Sequence, residues 1–594
     1  MADSPVYFSP EVQMLINNRK DGWTYRERRH AEWDENYTLS RDKVIINRLT
    51  QRQTVNLPLM KTTKKTVLKD IDDMPLIHFE NLDNDKQAEI FKNEYWKLTG
   101  EENKFEIQDI IDKEQVYHFG RTYDCWQVID GKVKMSIEDP MDILVSRFTD
   151  PTNIHSSRFL IHMFIFRPLS QLLQNNMYDQ QALARLKTFY ETKEGLIKAQ
   201  DALDALQAKN KKMADMGVWN IESPTLGEAY VELQLHFLFR DKEMYNGKEY
   251  KNQIFLYILA ADMEVLMKKP LEEVIGVTED HFWQTHYPYN SWADDVEKQD
   301  WYSDGIADIC RTPNKILNAW FSQLVENRTL KNLNMNLFNS SVEGWQPQSW
   351  QPRAWGMYGV PVPQGGKIED MFHQMQVADL SESLDELNFL VLMVDKATGA
   401  TATNAGQQVE RQITLGEVKL ALAEAKDRIK GMSKFYTQVW KERGLMFIKL
   451  IEAASNRLDA VRIYKQGRST SNIFSREVAP KDWQTPLGYR CKVWDQNEKN
   501  EQDIQSLEKI SAISQDFMGN PKMQEIKQRK ELEFAGLNPD EINEVMQIEE
   551  TKRNMMASMS SIDPVTGQPT GQQIAPMPQQ QALLPANTPQ PVAQ

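Results

Sequence analysis

The side chains here that could carry chemistry are adjacent acids, two neighbouring histidines and three cysteines. Asp72-Asp73, Glu272-Glu273 and Asp294-Asp295 are carboxylate pairs of the kind a nuclease uses to hold a divalent ion. With 85 acidic residues in the chain, such pairs arise by chance on solvated faces, so they assign no metal. His281 and His286, in HFWQTHYPYN, miss the i, i+4 spacing that puts two ligands on one helix face, and no carboxylate partner is evident, so both read as structural. Cys125, Cys310 and Cys491 lie far apart without a C-x-x-C, which leaves them as buried small hydrophobes. There is no G-x-x-x-x-G-K-[ST] phosphate loop and no G-x-S-x-G elbow. The expectation is a non-enzyme with no catalytic residue, no cofactor and no metal.

Weaker polar chemistry is concentrated in one place. Ala397 to Gln408 reads ATGATATNAGQQ, with Lys396 before it and Arg411 after it. Small and polar residues of this kind bury too little apolar surface to order themselves. A second unusual stretch holds Trp345, Trp350, Trp355 and Tyr358 among prolines and glycines, with Arg353 in their midst. Each aromatic buries on the order of 150 to 250 Å², too much to leave in water at several sites.

Three helices must position these stretches. The first is announced by Thr312-Pro313, a cap followed by proline at the first helical position, with Ile316, Leu317, Trp320, Phe321, Leu324 and Val325 at helical spacing. The second opens at Asp379 with Glu382 as reciprocal cap and sets Leu380, Leu384, Leu387, Val391 and Val394 three or four apart, while Phe389, Leu390, Leu392 and Met393 fill most of its remaining circumference. A helix apolar nearly all round must be covered on several faces. The third begins at Thr414 with Glu417 as its cap and keeps its apolar rhythm to about Ile451, roughly 55 Å at 1.5 Å per residue. Gly431 and Gly444 are places where it can kink.

Elsewhere, residues 10 to 38 suggest a charged amphipathic helix, and residues 178 to 213 are helical again. Val116 to Ile165 reads as short strands, among them Val116-Tyr117-His118-Phe119 and Phe159-Leu160-Ile161, with Asp130-Gly131 as a turn. The clearest hairpin joins Val231 to Phe239, alternating apolar and polar, through Asn246-Gly247 to Ile254 to Leu259. Beyond Trp494 helical patterns return, the last capped by Asn538 with Pro539 and Glu541. Ala557 to Gln594 is Gln/Pro-rich, nearly uncharged, and expected to be disordered.

The order of these elements resembles the portal proteins of tailed bacteriophages, the ring at one capsid vertex through which double-stranded DNA is packaged and ejected. The resemblance covers roughly residues 25 to 495. It is carried by Trp33 with Tyr37 after a charged helix, Val55-Asn56-Leu57-Pro58-Leu59, Gly131-Lys132-Val133 leading to Glu138-Asp139-Pro140, Gly305-Ile306 opening the first long helix, and Thr401-Ala402-Thr403 before the third. It implies an α+β, predominantly helical, multi-domain subunit closing into a ring, a dodecamer in relatives, around a central channel. Residues 1-304 would be the N-terminal part of the wing with a small β-barrel, and 305-339 the first stem helix. The clip would be 340-374, the second stem helix 375-396, and the tunnel loop 397-413. A long helix and C-terminal wing part would fill 414-494, a helical crown 495-556 and a disordered tail 557-594.

On this resemblance Lys396, Thr398, Thr401, Thr403, Asn404, Gln407, Gln408 and Arg411 would face DNA in the channel without reading its sequence. The threonine, asparagine and glutamine groups make weak, replaceable contacts to phosphate, which suits sliding, while Lys396 and Arg411 bracket them; the alternative for this stretch is an ordinary solvated linker. Trp345, Trp350, Arg353, Trp355 and Tyr358 would meet the terminase motor, a tail adaptor protein or the neighbouring subunit. Trp320, Phe321, Leu324, Leu384, Leu387 and Val391 would pack between subunits. Other implied partners are the major capsid or scaffolding protein, and the implied location is the virion, after assembly in the host cytoplasm.

Bulk properties fit without deciding. At 594 residues the chain exceeds the roughly 250 to 300 that one core supports. No stretch reaches the roughly 18 apolar residues of a membrane span, and MADSPVYFSP lacks the regions of a secretory signal, so the expectation is a soluble protein. The net charge of −15 argues against a sequence-reading DNA binder but not for a channel, since most soluble bacterial and phage proteins are mildly acidic. The alternative reading of the whole is another oligomeric ring or helical scaffold without a DNA conduit.

Overall fold

The computed structural model describes residues 9–40, 57–70, 74–81, 86–215, 227–293, 300–332, 336–338, 367, 372–374, 383–398, 415–458, 461–466, 473–478, 489–494 and 528. The chain divides into two compact units, 1–495 and 496–594, and almost all described residues belong to the first. The expected crown helices and C-terminal tail lie outside the described residues.

The first unit opens with α1 (Pro10–Ser40), α2 (Leu59–Asp70), β1 (Leu76–Asn81), α3 (Lys86–Asn103) and α4 (Phe105–Phe119). A β-rich stretch follows: β2 (Arg121–Ile129), β3 (Lys132–Glu138), β4 (Ile143–Val145) and β5 (Phe159–Pro168). Three helices, α5 (Leu169–Gln174), α6 (Gln180–Tyr190) and α7 (Lys193–Asp215), precede β6 (Tyr230–Tyr245), β7 (Lys248–Ala260), β8 (Glu264–Pro270), α8 (Leu271–Ile275) and β9 (Tyr289–Ala293). Then come α9 (Ile306–Asn332), β10 (Asn336–Phe338), β11 (Phe372–Gln374), α10 (Ser383–Thr398) and α11 (Leu415–Ala454). The last described strands are β12 (Val461–Gln466), β13 (Ile473–Val478) and β14 (Tyr489–Trp494).

Both turn signals form hairpins. Asp130 and Gly131 between β2 and β3, and Asn246 and Gly247 between β6 and β7, all have positive φ, the geometry that matches strand twist in a two-residue turn. The larger antiparallel sheet has the order β4-β5-β6-β7-β8 and the smaller β3-β2-β9. Among the described residues neither sheet pairs its first strand with its last, and the small β-barrel expected of the wing remains an expectation. Alternation along β6 explains why the larger sheet is covered on both faces: Val231, Leu233 and Phe237 join one core, whereas Leu238 joins another with Val12, Leu15 and Ile16 of α1.

Val116-Tyr117-His118-Phe119 is not a strand but the last turn of α4. Gly120 in the left-handed region ends that helix, its N–H donating to the Val116 carbonyl at 2.8 Å. β-branched and aromatic residues mimic a strand here because this turn is buried on all sides, and burial overrides local propensity. Likewise α9 does not start at Thr312-Pro313. It starts at Ile306, the opening that Gly305-Ile306 carried in the resemblance, where the Asp308 carboxylate accepts the Gly305 N–H at 2.9 Å, and Pro313 lies inside the helix. The proline leaves the Ile309 carbonyl without its helical donor, at a residue that is itself exposed.

α11 runs through Gly431 and Gly444 as one assigned helix, about 60 Å long at 1.5 Å per residue. Gly444 is there for close approach: a Cβ on it would lie 2.8 Å from Cys491 Sγ on β14. Gly444→Ala is therefore expected to cost about 1 to 3 kcal/mol by overpacking. Adding Cys491→Ala should recover most of that loss in a urea titration.

Candidate functional site

The expected stem is a pair of packed helices, α9 and α10, whose connection is pinched by the β10–β11 ladder. Asn336 pairs with Gln374 and Phe338 with Phe372, so the chain leaves α9 and returns to α10 through one antiparallel gate. Trp345, Trp350, Arg353, Trp355 and Tyr358 fall between those strands and outside the described residues.

α10 has two different faces. Leu387 and Val394 are buried against α9 and α2, with Val391 half-buried between them. Trp320, Phe321 and Leu324 of α9 are also half-buried against this same core. Of the residues expected between subunits, Leu387 is thus buried within this copy, while Trp320, Phe321, Leu324 and Val391 keep part of their surface exposed; the Leu384 side chain lies outside the described residues. The apolar residues left in water are Phe389 at 62 %, Leu392 at 57 % and Met393 at 51 % exposure, on the opposite side of α10.

The loop expectation needs a shift at its start. α10 includes Lys396 and continues to Thr398, which is 7 % exposed and donates its hydroxyl to the Val394 carbonyl at 2.9 Å. Thr398 therefore serves the last helical turn and does not face a channel in this copy; four residues beyond Val394, it falls on the buried stripe. Thr401, Thr403, Asn404, Gln407, Gln408 and Arg411 lie outside the described residues.

The middle of α11 is held by a clamp for which the sequence gives no signal. Asp109 and Asp112 of α4 meet Tyr436 and Arg443 of α11. The Tyr436 hydroxyl donates to Asp109 Oδ1 at 2.5 Å, and Lys113 Nζ lies 2.7 Å from Asp109 Oδ2. Arg443 has no solvent exposure; its Nη2 donates to Asp112 and its Nε to Asp124 of β2, both at 3.0 Å. Trp292 donates to Asp112 at 2.9 Å, Trp126 and Asn290 to Asp124 at 2.6 and 2.9 Å, and the Trp440 ring faces the guanidinium. Burial works against the Arg443 charge, but the two carboxylates outweigh it and hold its pKa above the ordinary value. Asp112 is pushed up by burial, against the pull of Arg443. One buried cation thus serves two carboxylates, and this fixes the rotation of α11 against the sheet.

The chemistry-bearing residues of the sequence do not converge. His281 is exposed and finds a carboxylate after all, with Nδ1 3.1 Å from Glu272, whereas His286 stacks on Phe282 and faces His155. Asp72-Asp73 and Asp294-Asp295 lie outside the described residues. Cys125 and Cys310 are buried, and Cys491 is half-buried. Burial pushes the Cys310 thiol up to about 12 and that of Cys491 to about 11, which leaves little thiolate. Among the described residues no cluster of three or more His, Cys, Asp or Glu is arranged for a metal, and no helix is long and apolar enough to cross a membrane. No family model matches the chain, and no curated protein matches it.

Proposed function

We propose that this chain is a portal subunit, one copy of a ring through which double-stranded DNA is packaged and ejected. The observation that carries the reading is the outer face of α10, where Phe389, Leu392 and Met393 stay in water although Leu387 and Val394 on the other side are buried. A second copy can cover that face, and a head-to-tail contact of this kind closes into a ring when its rotation allows. The element order supports it: a helix pair, an aromatic-rich excursion between paired strands, a small polar stretch and a very long clamped helix. In this reading the excursion docks the terminase motor and later an adaptor, and residues 399–414 border the channel. A net charge of −15 is compatible with a conduit, in which tight phosphate binding would act as a brake, and does not by itself argue for one.

Electron microscopy and mass photometry of the purified chain test the ring directly. The expected result is a many-subunit ring with a central hole; a monomer or dimer at every concentration overturns the proposal. Deleting residues 401–407 separates a conduit from a plain scaffold. The ring should persist while DNA packaging or retention fails, and normal genome filling would remove the channel role.

A further inference from the structure

Phe148 is the most exposed large apolar side chain among the described residues, at 94 %, and its backbone is left-handed with φ 62°. A bulky residue in that region is strained, and strain persists only where the surroundings enforce it. The turn after β4 does so. Buried Ser146 bonds to Ser157 at 2.9 Å, Thr149 donates to the Ser146 carbonyl at 2.7 Å, and the Arg158 N–H donates to Ser146 Oγ at 2.9 Å. Arg147 Nε is held by Asp21 at 3.0 Å. A fixed web of hydrogen bonds thus presents an aromatic ring to water, an arrangement with no benefit to an isolated copy.

The same chain has a cavity of about 300 Å³ between its sheets and the end of α11, lined by Leu235, Leu256, Met267 and Leu271. Met177, 58 % exposed, and Arg457 stand among its lining residues. An apolar cavity of roughly 150 Å³ is enough to take up a benzene ring, so this one has room for a phenylalanine side chain. Charge matches as well: exposed Asp150 lies beside Phe148, and exposed Arg457 borders the cavity.

We propose that Phe148 of one copy enters this cavity of the next, with Asp150 meeting Arg457, as a knob-and-hole contact between wings. It rests on the ring reading above, because two different patches on one chain propagate head to tail. Polarizable Met177 would contact the edge of the incoming ring.

The test uses full-length protein with Phe148→p-benzoylphenylalanine, mixed with isotopically heavy copies before assembly. Irradiation should join position 148 of one copy to the segments bearing Met177 or Met267 of another. Phe148→Ser and Met177→Trp, both surface changes, should each raise the concentration for half-assembly by about tenfold or more, and the double variant should do little further harm. Phe148→Gly should raise the Tm of the free chain, by removing the strained side chain, while weakening assembly. Rings whose cross-links land elsewhere, or that form normally from both single variants, overturn this contact and leave the portal reading standing. A wild-type chain that never assembles removes both.

Discussion

Arg443→Met is expected to destabilise the first unit by about 3 to 5 kcal/mol, the penalty for stranding buried charge when one partner of a buried pair is lost. Asp112 and Asp124 would then face each other without a cation in a site that excludes water. A typical domain has about 5 to 15 kcal/mol in all, so the variant should unfold at a much lower urea concentration. Arg443→Lys should fall between, since an ammonium cannot fork to two carboxylates as the guanidinium does. Asp112→Asn should be milder than Arg443→Met: Asp124 remains for the cation, and the amide oxygen can still accept from Trp292. The sign with pH follows from the upward shift of Asp112. A folded pKa above the unfolded one favours folding while the group is protonated, and that contribution is lost as pH rises through the folded value. Asp112→Asn should remove this part of the pH dependence, which urea titrations across the acid range would measure. A wild-type slope retained in that variant would place the ionisation elsewhere.

How much of this was legible in the letters depends on the range of the interaction. The hairpins at Asp130-Gly131 and Asn246-Gly247 were readable because a two-residue turn needs particular φ angles and its residues are adjacent in sequence. The extent of α11 was readable because an apolar rhythm repeats along it. The end of α4 was not, since Val116 to Phe119 owe their helical state to packing on every side. For α9 the sequence offered two openings: Thr312-Pro313, a local signal outweighed by the Asp308 carboxylate at Gly305, and Gly305-Ile306 from the portal resemblance, which agrees with the helix start at Ile306. The Arg443 clamp was invisible: Arg443 follows Lys441 and Glu442 and looks like surface charge, while its acids lie on α4 and β2, far back in the chain. Phe148 was equally silent, because nothing local separates an exposed phenylalanine from a buried one. For α10, periodicity gave the buried stripe through Leu387, Val391 and Val394, but not which of its apolar faces a single copy leaves uncovered.

That uncovered face yields the second large effect. On the ring proposal, replacing Phe389, Leu392 and Met393 together with serine should dissolve the proposed assembly into single chains while leaving each chain as stable as before. Full burial of one such side chain contributes about 1.5 to 3 kcal/mol, so even half of that at three positions is on the order of 2 to 4 kcal/mol per contact. At 1.4 kcal/mol per tenfold, each interface would weaken by roughly 30-fold to 1000-fold, and a ring needs every interface closed. Mass photometry should register a shift from ring to monomer at concentrations where the wild type is fully assembled. Thermal unfolding of the monomer is the control that gives the result its meaning. These three residues contribute little to the core of their own copy, whereas Leu387→Ser on the buried stripe should lower the Tm sharply. A triple variant that assembles normally would show that this face is left to solvent, and one that loses its fold would show that the face belongs to the core of its own chain.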